Sequence, residues 1–244
     1  MHDTVYVEAV RSGVPRHLAE SQGFTWDPGM WRAVTASNGG VVGAVLAAVF
    51  DGVAGTLSSG LHHARRERGS SFCTFNGIVI AARAALAAGV KSVLILDVDA
   101  HCGGGTHSLI ENEPRITQID VSVSSIDYYK VRAPNTRDML SDAGQYLETI
   151  ERRLSDALRA SGKPGLVFHN AGMDPDERCS IGGLRGIDAS LLQAREKMVF
   201  DWCRTNDIPV AFSLAGGYAS GSLTEAELAQ LHRLTIDAAA RLAN

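Results

Sequence analysis

Four stretches of the chain have the length and residue types of buried strands: SVLILDV (92–98), RITQIDVSV (115–123), GLVFHNAG (165–172) and PVAFSLAGG (209–217). A shorter one lies within GVAGTLSSG (52–60). Between them, apolar positions recur with the helical period. Leu147, Ile150, Leu154 and Leu158 mark one helix over 145–160, and Leu191, Leu192, Met198, Val199 and Trp202 mark another over 190–203. The run VVGAVLAAVF (41–50) reads as a buried helix ending at Asp51. A last helix begins at Thr224, with Glu227 three residues on as a capping-box partner. Strands apolar on both faces and alternating with helices predict a mainly parallel sheet covered on both sides, a three-layer α/β/α architecture. No repeat, low-complexity tract or Pro-rich linker divides residues 1–244, so a single domain is expected.

Open parallel sheets build their sites at the carboxyl ends of the strands, and the unusual polar residues of this chain cluster there. LDVDAHCGGGT (96–106) places Asp97, Asp99 and His101 at alternate positions behind an apolar run. HNAGMDP follows a second strand and GGY (216–218) a third, while the pair His62–His63 follows the short one. Carboxylates beside a core are costly unless they are hydrogen-bonded or hold a cation. Oxygen and imidazole donors suit zinc, with Fe2+ or Co2+ as alternatives, and a catalytic zinc needs three ligands and one open position. Asp99, His101 and Asp174 fill that requirement, which leaves Asp97 to support them or to help hold a monovalent cation. Histidine titrates in the range needed to take a proton from water and return it to a leaving group. Tyr218, carried close to the site by Gly216 and Gly217, could stabilise an oxyanion.

Composition narrows the field. The net charge of −4 offers no basic surface for nucleic acid, and Arg65, Arg66 and Arg68 read as a solvated loop or helix start, with a substrate-facing role as the alternative. Four cysteines without framework spacing point to a reducing compartment. The absence of a basic, apolar leader and of an apolar run long enough to span a bilayer adds the expectation of a cytoplasmic protein without membrane contact.

Together these segments resemble the histone deacetylase superfamily. GLHHARRERGSSFCTFNGIVIAA (60–82) is similar to its HHA…GFC-x-FN segment, ILDVDAHCGGGT (95–106) to its D-x-D-x-H-x-G-x-G-T segment, NAGMD (170–174) to its A-G-x-D, and LAGGY (214–218) to its G-G-Y. NAGMDPDERCSIGGL (170–184) looks most like the class IV branch. The resemblance, carried by the part from about residue 40 onward, implies the arginase/deacetylase fold. It also implies removal of an acyl group, acetyl or longer, from an acylated amine such as acyl-lysine or an acetylpolyamine.

Carried over residue by residue, the resemblance makes Asp99, His101 and Asp174 the ligands of a catalytic metal, usually zinc. His63 becomes the general base and acid, His62 its electrostatic partner oriented by Asp97, and Tyr218 the group that polarises the amide carbonyl. Phe72, with Ser71 beside it, would line the acyl channel, faced by Tyr128 or Tyr129, and the Gly216–Gly217 turn would border the substrate. A potassium-like ion would involve Asp97, main-chain oxygens around Asp99 and His101, and Ser122.

The chain also departs from the pattern. Cys102 stands where His or Gln is common, Ser71 where Gly precedes Phe-Cys, and Cys179 where an Asp is expected. Gly104 replaces the Asp or Asn that would hydrogen-bond the second histidine, leaving His63 without an evident partner. MHDTVYVEAVRSGVPRH does not resemble the family's N-terminal rim, so the site should be more open or should need another subunit of a homo-oligomer to complete it. Two rival functions follow. A non-catalytic acyl-amine binding module would keep the pocket without turnover. A binuclear guanidino-hydrolase of the arginase type would need an acid where Gly103 stands.

Overall fold

The computed structural model describes residues 1–220 and 222–242. Its elements in chain order are α1 (Thr4–Ser12), α2 (Arg16–Ala19), α3 (Met30–Asp51), β1 (Val53–Thr56), α4 (Gly77–Ala87), β2 (Val93–Asp97), α5 (Gly104–Ile110) and β3 (Ile116–Ser122). They continue as β4 (Thr136–Met139), α6 (Tyr146–Ser161), β5 (Leu166–Gly172), α7 (Ala189–Thr205), β6 (Val210–Ala215) and α8 (Glu225–Leu242). The six strands form one parallel sheet in the order β1-β6-β5-β2-β3-β4.

The period-two alternation of β2 divides the core. Leu94, Leu96 and Val98 join the cluster under α6, α7 and α8, whereas Val93 and Ile95 join the one under α3 and α4. Asp97 continues the latter face. The strand order reverses between β2 and β5, which makes the crevice beyond their carboxyl ends the favoured place for a ligand. That crevice receives both Asp97–His101 and Asp174.

The helices carry the caps that their sequences imply. Thr224 and Glu227 form the reciprocal box at the start of α8: the Thr224 N–H donates to the Glu227 carboxylate at 2.9 Å and the Glu227 N–H to Thr224 Oγ1 at 3.3 Å. Asn76 caps α4 through its Oδ1 to the Val79 N–H and, with its Nδ2, reaches the His62 carbonyl at 3.2 Å. The α4 cap therefore also fixes the His62–His63 loop.

Four findings depart from the sequence reading. The apolar run 41–50 belongs to a 22-residue helix, α3, and only one of its faces is buried. Val41, Val45 and Ala48 face α4, while Phe50 is 89% exposed. Among the described residues α3 is the one helix long and apolar enough to cross a bilayer, but here its buried face packs into the core. Strand β4 (TRDM) escaped notice because an edge strand with half-exposed polar residues carries no apolar run. The stretch 209–217 stops pairing at Ala215, where Gly216 and Gly217 turn away with φ of 54° and 111°.

The fourth difference is the N-terminal segment, which is closely attached to the site loops. Tyr6 donates to the Thr74 carbonyl at 2.6 Å and packs with Val10, Met30 and Phe75. His2 bridges the Arg65 carbonyl, 2.8 Å from Nδ1, and the Asn76 N–H, 3.0 Å from Nε2. The Phe72 N–H donates to the Gln22 carbonyl, and the rings of Phe24 and Phe72 lie 5.2 Å apart. Residues 2–24 thus buttress the 60–76 loop and set Phe24 beside Phe72.

Candidate active site

Asp99 and His101 leave β2 on one side of the crevice, and Asp174 follows β5 on the other. All three are buried. His101 Nδ1 lies 3.0 Å from Asp99 Oδ1 and 2.9 Å from Asp174 Oδ2. One ring N–H cannot serve both carboxylates, and Asp174 Oδ2 accepts no hydrogen bond of sound geometry despite that short separation. Burial and the neighbouring Asp99 charge push the Asp174 carboxyl up to about 7. Asp99 is also buried, but the charges and hydrogen bonds of His62 and His101 bring its pKa down. Two acids and an imidazole whose donor atoms converge in this way fit a divalent cation, which would let both carboxylates ionise.

Glycines make that convergence sterically feasible. A Cβ on Gly172 would stand 2.4 Å from Asp99 Cα, and one on Gly216 would stand 2.2 Å from Asp174 Oδ1. Gly216 also has a φ that L-residues rarely adopt. In the structure it thus allows close approach to the Asp174 carboxylate. Gly216→Ala is expected to fold with the same helix content yet to lose bound metal, measured by elemental analysis after gel filtration. Stoichiometric metal in that variant would show that the carboxylate can move aside.

The histidine pair sits beside this group. His62 Nδ1 donates to Asp97 Oδ2 at 2.8 Å, and Asp97 Oδ1 accepts from Asn170 Nδ2 at 2.8 Å. Burial opposes a charge on His62, but the carboxylates of Asp97 and Asp99 outweigh it and raise its pKa well above the usual value. The Nε2 atoms of His62 and His63 are 3.1 Å apart. Burial and the neighbouring His62 lower the pKa of His63, which keeps it in the neutral form that can accept a proton.

His63 has a partner after all. Its Nδ1 lies 3.0 Å from Oδ2 of Asp127, in the loop after β3. The other Asp127 oxygen is paired with Arg65, which is therefore not a purely solvated residue. Sequence reasoning missed Asp127 because it belongs to no motif; its only signal was an acid in a loop that leaves the carboxyl end of a strand.

Tyr218 closes the β6 side. Its ring stands edge-on to His101 with centroids 6.2 Å apart, and its N–H donates to Cys179 Sγ at 3.2 Å. Cys179, where the family pattern has an acid, here fixes the backbone of Tyr218. Burial and the carboxylates of Asp99 and Asp174 push the phenol's pKa upward, so it stays a hydrogen-bond donor.

Of the other expected residues, Tyr128 is exposed with Arg137 stacked 3.6 Å over its ring. Tyr129 turns inward, stacks on His107 and donates to Asp120 at 3.0 Å. The Ser122 hydroxyl is also hydrogen-bonded to Asp120, whose carboxyl is pushed up to about 7 by burial and by Asp97.

Phe72 is half exposed at the tip of a tight turn in which the backbones of Ser70 and Cys73 bond reciprocally. Both central residues, Ser71 (φ 44°) and Phe72 (φ 66°), are left-handed. Side chains in that region cost on the order of 1 kcal/mol or more each. Ser71→Gly is accordingly expected to raise unfolding stability by about 0.5–1 kcal/mol in urea; an unchanged or lower midpoint would mean that the turn is not strained.

A family model described as the histone deacetylase domain matches residues 1–234, so the match reaches the N-terminal segment as well as the motifs. Similar proteins include an uncharacterized protein of Picosynechococcus sp., 30% identical over 226 residues, which are 90% of this chain and 74% of that protein. Histone deacetylase 2 of Arabidopsis thaliana is 30% identical over 190 residues, 75% of this chain and about half (49%) of the relative. Polyamine deacetylase HDAC10 of Rattus norvegicus is 41% identical over 78 residues, 31% of this chain and 13% of its own length. With the six-stranded parallel sheet and the buried Asp–His–Asp group at its switch point, the match over most of its length makes this chain a member of the histone deacetylase family.

Proposed function

We propose that the chain is a metal-dependent amide hydrolase that removes an acyl group from an acylated amine. The observation that carries this reading is the convergence, at one crevice, of three metal-type donors with a histidine pair and a protonated tyrosine. Asp99, His101 and Asp174 would hold the cation, Zn2+ by preference with Fe2+ or Co2+ as alternatives. Such a cation supplies Lewis acidity, drawing electron density from the amide carbonyl and making water a better nucleophile.

The chain's own residues do the rest. Asp97 fixes the His62 ring through Nδ1, so its Nε2 points at the reaction site. His63, held neutral, takes a proton from water at Nε2 and returns it to the departing amine. Tyr218 donates its phenolic hydrogen to the oxygen that gains charge. Phe72 and the exposed Tyr128 would border the acyl group. Asp97, main-chain oxygens near Asp99 and His101, and Ser122 would take K+, a role that a comparison of activity in KCl and NaCl reads.

Two alternatives lose support. The binding-module reading drew on the lack of a partner for His63, and Asp127 supplies one. The guanidino-hydrolase reading needs ligands for two metals, and among the described residues one three-ligand group converges. An acylated amine as substrate is supported by similar proteins named as histone and polyamine deacetylases. Hydrolysis of acetyl-lysine peptides, long-acyl-lysine peptides and acetylpolyamines, with and without chelator, tests the proposal. Chelator-sensitive turnover of any of them is the expected result. Metal binding without turnover of all three would overturn it.

A further inference from the structure

We propose that Asp127 is the positioning residue of His63, and that position 104 is a glycine because Asp127 fills the space a side chain there would need. The inference rests on the assignment of His63 as the proton-transfer group and names the device that orients it.

Three independent observations converge. The first is the contact itself: His63 Nδ1 to Asp127 Oδ2 at 3.0 Å, with the Asp127 side chain only 7% exposed. A carboxylate facing Nδ1 keeps the hydrogen on that nitrogen and leaves the Nε2 lone pair toward the crevice. The same carboxylate accepts the Gly105 N–H at 3.0 Å and pairs with Arg65. It is therefore anchored on three sides, to the histidine loop and to the start of α5.

The second is the space at Gly104. A Cβ there would lie 2.5 Å from the Asp127 carbonyl oxygen, 2.8 Å from Asp127 Oδ1 and 3.0 Å from Arg65 Nη2. Residue 104 and the Asp127 loop therefore compete for one volume. An acid at 104 and an acid at 127 are alternative ways to reach His63, and this chain has taken the second.

The third is backbone strain. Among the described residues five non-glycines have positive φ, and four of them flank this site: Leu61 just before the pair, Ser71, Phe72 and Asp127 at 58°. Left-handed conformations persist where the surroundings over-determine them, and Asp tolerates them better than most residues. At Asp127 that conformation accompanies a carboxylate held by His63, the Gly105 N–H and Arg65.

The test uses the metal-loaded protein, an acetyl-lysine peptide and selective 15N-histidine labelling. Asp127→Ala is expected to keep its metal and to lower kcat on the order of 10- to 100-fold with KM changed less than about twofold, the size expected for a misplaced catalytic group. Asp127→Asn, which still accepts from Nδ1–H, should restore most of kcat. Gly104→Ala should reproduce the loss and add little on top of Asp127→Ala, because both break one contact. Long-range 1H–15N spectra should show the His63 Nδ1-bound proton in wild type and Asp127→Asn, and its exchange between nitrogens in Asp127→Ala.

An unchanged His63 tautomer in Asp127→Ala would overturn the proposal. So would equal losses of kcat and melting temperature in the Ala and Asn variants, the signature of a mere loop brace. If wild type hydrolyses no amide, the functional reading fails, yet the tautomer measurement on the same protein still decides the Asp127–His63 pairing.

Discussion

His63→Ala is expected to leave the fold and the bound metal intact while reducing amide turnover by about 10²- to 10⁴-fold, the usual contribution of a general acid–base group. His63 lies outside the Asp99–His101–Asp174 group, so its removal should spare the metal. It is the neutral member of the pair, and its Nδ1 faces Asp127. Metal analysis, circular dichroism and steady-state kinetics on one preparation check the three parts. Turnover within tenfold of wild type would remove His63 from the reaction and shift the proton transfers to His62.

Arg195→Leu should be the most destabilising single change, by roughly 3–5 kcal/mol, because it strands a buried acid. Arg195 and Glu196 on α7 and His169 on β5 are all inaccessible to solvent. The guanidinium bonds Glu196 at 2.7 Å and the Tyr146 hydroxyl at 2.9 Å, and its Nη1 lies 3.4 Å from the Val98 carbonyl. Glu196 also meets His169 Nε2 at 3.0 Å. Val98 separates Asp97 from Asp99, so this buried cation also ties the carboxyl end of β2 to the helix layer beneath it.

Burial opposes ionisation of Glu196, but Arg195 and His169 prevail and hold its pKa near 2, below the ordinary 4.5. A carboxylate with a depressed folded pKa contributes stability that is present above about pH 4.5 and is lost as pH falls toward 2, some 3 kcal/mol in all. Urea titrations at pH 5 and pH 3 should show about 2 kcal/mol of this loss in wild type and little of it in Arg195→Leu. The pair replacement Arg195→Leu with Glu196→Leu should recover much of the stability. A cost under 1 kcal/mol for Arg195→Leu would mean that water or a neighbouring group satisfies Glu196.

Why some of this was legible in the sequence and some was not follows from the range of the interactions. Apolar runs of strand length and helical spacing are local, and they mark β2, β3, β5, β6, α6, α7 and the Thr224–Glu227 cap. The DxDxH, NAGMD and GGY segments follow strands that the sheet brings together, so Asp99, His101, Asp174 and Tyr218 could be nominated before their geometry was known. Asp127 could not, since its partnership with His63 spans 64 residues and depends on the lack of a side chain at Gly104, whose place the Asp127 loop takes. The support of the 60–76 loop by His2, Tyr6 and Gln22 was equally hidden, because backbone carbonyls and amides make most of those contacts. Strand β4 was lost because an edge position relaxes the apolar requirement.

The central claim is that one cation, held by Asp99, His101 and Asp174, enables amide hydrolysis. It is tested most directly by measuring metal content and hydrolysis on a single purified sample, before and after chelation and after adding Zn2+ back. One metal per chain, turnover of an acyl-lysine peptide or acetylpolyamine that chelation abolishes and Zn2+ restores, and loss of both metal and turnover in Asp174→Ala is the expected result. Turnover that survives metal removal, or an Asp174→Ala variant with full metal and activity, would contradict it.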